Sequence, residues 1–308
     1  MKRSKEKITL SILLAAVLVV SIVGYMIYVQ HQFYTESTKN LLETYEQVDK
    51  TFTMFAQRNW NVLSEWGSNL QDDADGEAVR ASLCLFNRQK PTWKYSGLYL
   101  FNEDCTYLDA ESGHGSAKHI WGAFSEMYIT GHPCVGSYTM KNGERRVVFT
   151  VPIEPVKVDG ETYTCIAVSY DNETLEEMIG GHAYNGQSDC YIIYPSGDIM
   201  LSEEPKSEIE HWMENLFAFL EQNAQVNTNA LAKMREDVQN SGRGSVAYRY
   251  GGKSYYLVYQ PVGFQSLSIV GIVDRSVVDA GMRKIQTATI LLLIALMAGI
   301  VFTLVRFV

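Results

Sequence analysis

A small set of aromatic and charged side chains could hold a small charged molecule without reacting with it. The candidate binding residues are Trp121, Tyr128, Tyr138, Arg146, Phe149 and Asp171, with Phe124 between the first two. Arg146 could hold a carboxylate through a forked pair of hydrogen bonds, and Asp171 could pair with an ammonium. Aromatic rings would line the sides and could hold a cation over their faces. This set fits an amino acid or a small organic ion.

Each of these residues also has a purely structural interpretation. Trp121, Phe124 and Tyr128 have the spacing of the buried face of an amphipathic helix. Arg146 follows Arg145, as a solvated cation on a strand would, and Asp171 precedes a helical segment, as a capping residue would. The residue types alone leave both interpretations open.

No catalytic signature accompanies the candidate binding residues. The sequence contains no phosphate-binding loop, no dinucleotide-binding fingerprint, no HExxH and no GxSxG. His114, His119 and His132 lack the spacing of a recognised metal site. We therefore expect a protein that is not an enzyme and that uses no metal and no cofactor.

Five cysteines are present: Cys84, Cys105, Cys134, Cys165 and Cys190. Their number is odd, and no CxxC pair occurs among them. The favoured interpretation is five small, mostly buried hydrophobic residues, and a disulfide such as Cys105–Cys134 outside the cell is the alternative.

The candidate residues fall in a stretch of short predicted strands. The pattern predicts strands at residues 97–102, 105–110, 135–140, 145–153 and 162–171, and a helix at residues 117–130. Asn142-Gly143 and Asp159-Gly160 are turn signals between strands. Short strands with one helical insert predict an antiparallel sheet with a helix over one face.

The same order of elements occurs a second time. Strands are predicted at residues 189–194, 199–201, 244–250, 253–261 and 266–273, and helices at residues 205–222 and 228–240. Gly251-Gly252 has the form of a two-residue hairpin loop. The sequence therefore predicts two sheet modules related as a structural repeat. A long helix at residues 33–70 and a second at residues 77–89 precede them.

Two uncharged apolar segments bracket the modules. Residues 8–29 and 287–305 are each close to the roughly 20 residues that a helix needs to cross a bilayer. A buried core helix is the alternative for each. The first segment is longer than the apolar region of a signal peptide and lacks a cleavage site, which favours an uncleaved anchor. Lys2, Arg3, Lys5 and Lys7 predict a cytoplasmic N-terminus, so residues 30–286 should be extracytoplasmic.

The net charge of −9 limits the range of partners. The predicted cytoplasmic ends contain more basic than acidic residues. The external part therefore has a more negative net charge than the whole chain, about −13. This charge disfavours nucleic acid or anionic lipid as a partner. It does not select a small ligand, because a local pocket can remain cationic.

The whole layout resembles the double-Cache form of the Cache superfamily of extracellular sensor domains. The resemblance rests on an apolar span followed by a long helix, and on four sequence stretches. These are GLYLF at 97–101 with TYL at 106–108, RVVFTVPI at 146–153, and KSYYLVYQPV at 253–262. It implies an α+β fold: two PAS-like antiparallel sheets on a long N-terminal helix, flanked by two transmembrane helices.

The implied domain order has eight parts. They are a cytoplasmic N-terminus (1–7), a first span (8–29), a long juxtamembrane helix (30–75), a membrane-distal module (76–181), a membrane-proximal module (182–275), a connecting helix (276–286), a second span (287–305) and a cytoplasmic end (306–308). The resemblance also implies a homodimer in the plasma membrane, in contact with lipid through two spans.

The function that follows is ligand sensing by a bacterial transmembrane receptor of the sensor histidine kinase or diguanylate cyclase type. No kinase or cyclase sequence occurs in the chain, so the chain is either the sensory part of a longer receptor or a sensor on its own. A different class is the alternative: a membrane-anchored module for protein interaction or assembly, without a small-molecule ligand.

Overall fold

A computed structural model describes residues 2–71, 76–116, 122–140, 144–179, 186–202 and 213–278, together with 287–292, 295–296 and 298–299. Its first element, α1 (Lys2–Gln71), is one uninterrupted helix of 70 residues. No proline occurs in this segment to remove a backbone donor. The predicted helix at residues 33–70 is confirmed as its second half.

The two predicted membrane spans are not confirmed. Within the described part of the chain, no helix combines the length and the hydropathy that a bilayer crossing requires. Residues 8–29 belong to α1, whereas residues 293–294, 297 and 300–308 lie outside the described part. Both spans therefore stay predictions.

The module that the sequence predicts to be membrane-distal, here called the distal module, contains a six-stranded sheet in which neighbouring strands are antiparallel. Its strands are β1 (Gly97–Phe101), β2 (Thr106–Asp109), β3 (Gly113–Ser116), β4 (Cys134–Thr139), β5 (Arg145–Val158) and β6 (Glu161–Asp171). They lie in the order β3-β2-β1-β6-β5-β4. Its helices are α2 (Gly76–Asn87), α3 (Lys90–Trp93), α4 (Ser125–Thr130) and α5 (Asn172–Ile179).

The second module, which the sequence predicts to be membrane-proximal and which we call the proximal module, has the same arrangement of six strands. Its strands are β7 (Ser188–Ile193), β8 (Ile199–Ser202), β9 (Gln225–Val226), β10 (Gly244–Tyr250), β11 (Lys253–Pro261) and β12 (Ser268–Asp274). They form an antiparallel sheet in the order β8-β7-β12-β11-β10-β9, and α6 (Leu216–Gln222) and α7 (Thr228–Gln239) cover one face. The predicted α+β class with two antiparallel sheets on a long helix is confirmed.

Both sheets pack one face against the same side of α1. Tyr45 is buried against the proximal sheet, where its hydroxyl donates to Ser188 Oγ and the Asp189 carbonyl oxygen at 3.2 Å. Further along, Asn59 Oδ1 accepts a 2.8 Å hydrogen bond from the Tyr170 hydroxyl in the distal sheet. A single helix therefore fixes the position of both sheets.

Several elements differ from the sequence-based expectation. β3 forms where no strand was predicted, and Gly113 in it pairs with Asp109 on β2. β5 continues past Pro152 to Val158 with an irregularity between Pro152 and Val156. β4 pairs only up to Thr150, so these prolines lie where β5 is an edge strand and no ladder donor is lost. The helix expected at residues 205–222 is α6 from Leu216 on, and residues 203–212 lie outside the described part.

All five cysteines are free thiols. Cys105, Cys134, Cys165 and Cys190 are buried, and Cys84 on α2 is exposed. The alternative of a Cys105–Cys134 disulfide is therefore wrong, and the interpretation as small buried side chains holds for four of the five.

The contact between Gly271 and Tyr45 makes the first testable prediction. A Cβ atom at Gly271 would overlap the ring of Tyr45. We expect Gly271→Ala to lower the free energy of unfolding of the full chain by about 1–3 kcal/mol, because the helix must shift away from the sheet. Chemical denaturation in detergent solution, followed by tryptophan fluorescence, measures the change. Gly122→Ala is the matched control, since nothing lies within 4 Å of its added methyl group; equal midpoints for the two variants would contradict the packing.

Candidate functional site

The two faces of the distal sheet are lined by different kinds of residues. The face against α1 is apolar. The opposite face, under α4, carries a separate cluster of buried residues: Phe101, Ala123, Phe124, Met127, Cys134, Val148, Cys165 and Ala167. We refer to this opposite side as the α4 face. Small-molecule sites are mostly apolar with a few polar groups, so this face is the candidate site in the distal module.

Four tyrosines surround the apolar cluster on the α4 face. Tyr99, Tyr107, Tyr128 and Tyr138 are partly buried against it. Tyr99 and Tyr107 make an edge-to-face contact, with ring centroids 5.8 Å apart. The ring of Tyr99 lies over Gly97, where any side chain would overlap its hydroxyl. The glycine therefore makes room for an aromatic ring at the start of β1.

The hydroxyl groups of Tyr99 and Tyr138 meet beside Ser169. Ser169 Oγ donates to the Tyr99 hydroxyl at 3.5 Å. Burial raises the pKa of Tyr138 above its ordinary value, and the nearby Tyr99 raises it further. Tyr138 therefore stays protonated at neutral pH, and its hydroxyl is an O–H donor beside Tyr99 and Ser169. We call this part of the α4 face its polar end.

Arg146 lies at this polar end rather than in solvent. Its side chain is only 19% exposed, and its Nε donates to Glu144 Oε1 at 2.9 Å. Burial alone would lower the pKa of the guanidinium, but the hydrogen bond to Glu144 and the nearby Tyr138 outweigh it and raise that pKa. Because a guanidinium has five N–H donors, the bond to Glu144 uses only one of them.

Asp171 faces Arg146 across the sheet and also caps a helix. In the β5–β6 register, Arg146 and Asp171 are direct partners. Asp171 Oδ1 accepts from the Thr174 backbone N–H at 2.8 Å, and Oδ2 accepts from Ser96 Oγ at 2.9 Å. Burial would raise the pKa of this carboxyl, but the hydrogen bonds from Thr174 and Ser96 prevail and lower it.

The structure brings together some of the predicted site residues. Tyr138, Arg146 and Asp171 lie side by side on β4, β5 and β6, because Tyr138 pairs with Arg146 and Arg146 pairs with Asp171. Tyr128 on α4 lies over the same face, beside Thr164. Trp121 lies outside the described residues.

Phe149 does not join this group, and grouping it with Arg146 is corrected. It packs on the α1 side of the sheet, with ring centroids 5.4 Å from Phe55 and 5.7 Å from Tyr170. Side chains alternate between the faces of a strand, so residues three apart, such as Arg146 and Phe149, point in opposite directions.

Sequence reasoning missed four residues of the α4 face. They are Tyr99, Phe101, Tyr107 and Ser169. Tyr99 and Phe101 are two residues apart on one strand, which is the spacing of side chains that share a face. That alternation was available in the sequence and would have identified the aromatic side of the pocket.

The edge of the distal sheet beside the pocket is held by side chains of the proximal module. The outward backbone N–H of Val135 on β4 donates to Gln265 Oε1 at 2.7 Å, and that of Ser137 donates to the Tyr194 hydroxyl at 3.1 Å. Gln265 Nε2 also donates to Glu126 Oε2 on α4 at 2.8 Å. One side chain in the β11–β12 turn thus contacts both β4 and α4.

Comparison with known proteins identifies the fold. No protein-family model matches the chain, and no curated protein matches it in sequence. Among solved structures, it is similar to the ligand-binding domain of the amino acid chemoreceptor PctB of Pseudomonas aeruginosa PAO1 in complex with L-Arg. The TM-score is 0.58 at 16% identity, over 82% of this chain and 94% of that one.

Two further solved structures have the same layout. The extracellular domain assigned to a histidine kinase, mmHK1S-Z3, gives a TM-score of 0.57 at 16% identity, over 82% of this chain and 98% of that one. The ligand-binding domain of Mlp24 with asparagine gives 0.54 at 15% identity, over 81% and 97%. The TM-scores show a shared fold despite the low sequence identities. The double-Cache architecture expected from the sequence is confirmed.

The two roles of Asp171 make a prediction about pH. We expect Asp171→Ala to lower the free energy of unfolding by about 1 kcal/mol at pH 7, because the first turn of α5 loses its cap. The folded-state pKa of this carboxyl is lowered. Its contribution is therefore present above the ordinary aspartate pKa of about 3.9 and is lost as the pH falls through the folded-state pKa.

Denaturation of the full chain at a series of pH values between 7 and 3 measures this difference. The gap between the parent and Asp171→Ala should narrow in acid. Asp171→Asn is the matched control, since it keeps an acceptor oxygen but does not titrate. A gap that stays constant or widens as the pH falls would contradict the assignment.

Proposed function

We propose that this chain is the extracytoplasmic sensing part of a bacterial membrane receptor of the sensor histidine kinase or diguanylate cyclase type. It binds an amino acid or a small organic ion on the α4 face of the distal module and passes a conformational change to a second membrane span. The observation that supports this most is a largely buried arginine beside tyrosine hydroxyls, on the open side of a sheet whose other side is fully packed.

The chemistry of the site fits a zwitterion. Arg146 would hold the carboxylate through donors that Glu144 does not occupy, with the hydroxyls of Tyr99 and Tyr138 beside it. Asp171 would take the ammonium, since direct cross-strand partners have Cβ atoms about 5 Å apart. Tyr128 on α4 would cover the ligand, and Trp121 stays a predicted binding residue outside the described part of the chain.

The fold neighbours agree with this class of ligand. The PctB domain was solved in complex with L-Arg and the Mlp24 domain with asparagine. The mmHK1S-Z3 structure is that of an extracellular domain. We propose the same for this chain: an extracytoplasmic domain with a small-molecule ligand.

Membrane anchoring fits the exposed surface of α1. Val17, Val20, Val23 and Ile27 are all at least half exposed, although they are apolar and close in sequence. Exposed apolar surface of this kind indicates contact with a membrane or another protein. We propose that residues 8–29 and 287–305 span the plasma membrane and that the receptor is a homodimer.

Gln265 gives a physical route from the pocket to the second span. A ligand that moves α4 changes the position of Glu126, to which Gln265 is bonded. Gln265 lies three residues before β12, and β12 leads directly into a helix that begins at Arg275. A ligand can shift this arrangement only by its difference in affinity between two states.

A ligand screen tests the proposed function. We expect one or more amino acids, carboxylates or amines to stabilise the full chain in a thermal-shift assay, by about 2.7 kcal/mol at a hundredfold excess over the dissociation constant. Arg146→Gln should weaken that binding at least about tenfold, because the forked contact to the carboxylate is lost.

Arg88→Gln is the matched control. It removes an exposed arginine of the same module that follows α2 and is not part of the α4 face. Circular dichroism confirms that each variant is folded. Binding that is unchanged in Arg146→Gln would contradict the site. A broad panel without any hit would favour the other class of function, a membrane-anchored module for protein interaction or assembly.

The route through Gln265 has its own test. We expect Gln265→Ala to keep ligand affinity within about threefold, because Gln265 does not lie on the α4 face. It should abolish the ligand-dependent change in amide hydrogen exchange of Ser268–Asp274, since the bridge to Glu126 is removed. Gln239→Ala, at an exposed position on α7, should keep that change. A full response in Gln265→Ala would show that the signal travels elsewhere.

A further inference from the structure

A cleft in the proximal module opens on the α1 side of the sheet, near the β9 edge. Its volume is about 610 Å³. Ala224, Gln225, Val226, Ala247, Tyr248, Arg249, Ser254, Tyr255, Tyr256 and Arg275 line it. This lining contains two arginines and no carboxylate, in a chain whose net charge is −9.

The two arginines lie on either side of a serine at one end of the proximal sheet, Arg249 on β10 and Arg275 directly after β12. Arg249 on β10 pairs directly with Ser254 on β11. The pair at this end of the β11–β12 ladder is Tyr255 with Asp274. Ser254 precedes Tyr255, and Arg275 follows Asp274, so the two residues are neighbours just beyond that pair. At about 4.8 Å per strand, the Cα atoms of the two arginines lie roughly 10 Å apart, with the small side chain of Ser254 between them. We call these three residues the arginine row.

The side chains of the arginine row face the cleft. Arg249 Nε donates to Ser254 Oγ at 3.3 Å. The guanidinium carbon of Arg275 lies 5.9 Å from the ring centroid of Tyr256, which is on the same face of β11 as Ser254. Two guanidiniums and a hydroxyl therefore line the same cleft, and this chemistry fits an anion.

The position of the arginine row along α1 follows from two contacts. The Gly263 backbone N–H donates to Asp49 Oδ1, and the ring of Tyr34 lies 5.0 Å from that of Tyr256. Asp49 and Tyr34 are about 22 Å apart along the helix. Gly263 and Tyr256 are about 23 Å apart along the extended chain. β11 thus runs beside α1, with its start toward the N-terminus of the helix.

This geometry places the arginine row at the level of the predicted membrane surface. Ser254 lies about 7 Å beyond Tyr256 along β11. The same distance along α1 below Tyr34 covers about five residues and ends at Val29. Val29 is the last residue of the first predicted span.

We propose that the arginine row binds the phosphate of an anionic phospholipid headgroup in the outer surface of the membrane. This inference rests on the proposed function, because it uses the membrane anchor proposed there. The chemistry is that of a phosphate held by two guanidiniums and a hydroxyl. Free phosphate has the same chemistry, and the position at the end of the span favours the lipid as its source.

The bound lipid would act at the point where the fold meets the second span. Arg275 begins the helix that follows β12. A headgroup that holds Arg275 therefore stabilises one position of that helix relative to the membrane. The lipid composition of the membrane then becomes a second input to the receptor, separate from the ligand of the distal module.

The experiment uses the full chain in nonionic detergent. It is titrated with short-chain phosphatidylglycerol, with short-chain phosphatidylcholine, and with inorganic phosphate, and binding is followed by thermophoresis. We expect phosphatidylglycerol to bind, and the double variant Arg249→Gln with Arg275→Gln to bind it at least about tenfold more weakly. Arg88→Gln is the matched control and should bind it as the parent does.

Each outcome has a defined meaning. An unchanged affinity of the double variant for phosphatidylglycerol would overturn the site. Equal binding of inorganic phosphate and phosphatidylglycerol would overturn the lipid as the source of the phosphate. Titration of the same samples with the amino acid that stabilises the parent keeps the two proposals apart: that response depends on Arg146 and should persist in the double variant. Extraction of the chain from membranes without detergent would instead show that the proposed anchor fails.

Discussion

The packing of two sheets on one helix is the constraint on which the rest of this structure depends. Tyr45 lies against Gly271 in the proximal sheet, and Asn59 bonds to Tyr170 in the distal sheet. Since helical hydrogen bonds hold the spacing between Tyr45 and Asn59, neither module can slide along the helix without breaking buried contacts. The two modules also contact each other directly, where Gln265 and Tyr194 accept hydrogen bonds from outward N–H groups of β4. Any relative motion of the modules must change these contacts.

The distal sheet separates stability from binding by using its two faces differently. Phe149 and its aromatic neighbours fill the α1 side. The α4 face keeps Arg146 and tyrosine hydroxyls in a half-buried setting, where polar groups cost free energy unless they are paired. The bond from Arg146 to Glu144 and the hydroxyl contact of Tyr99 with Ser169 meet part of that requirement. Polar groups arranged in this way on an otherwise apolar surface are typical of a binding site.

Much of the fold was predictable because strand alternation and turn residues are local signals. The hairpin loop at Gly251-Gly252 and the strand at residues 253–261 are examples, and both occur as expected. β9 was missed because two residues carry no pattern. β5 was expected to end before Pro155, because the sequence does not show that this part of β5 lies at an edge. Tyr138, Arg146 and Asp171 do lie on neighbouring strands, and their role in binding stays a prediction. Phe149 was grouped with them without considering that residues three apart on a strand point to opposite faces. The bridge through Gln265 joins residues about 130 positions apart, and no local pattern shows such a contact.

The buried thiols have a consequence for where this protein can work. Burial raises the pKa of Cys134 to about 11, and it also raises that of Cys165. Since the thiolate is the form that oxidises, both side chains are chemically inert at neutral pH. No disulfide joins the two modules, so packing and hydrogen bonds such as those of Gln265 and Tyr194 hold them together. The fold therefore needs no oxidising enzyme to form.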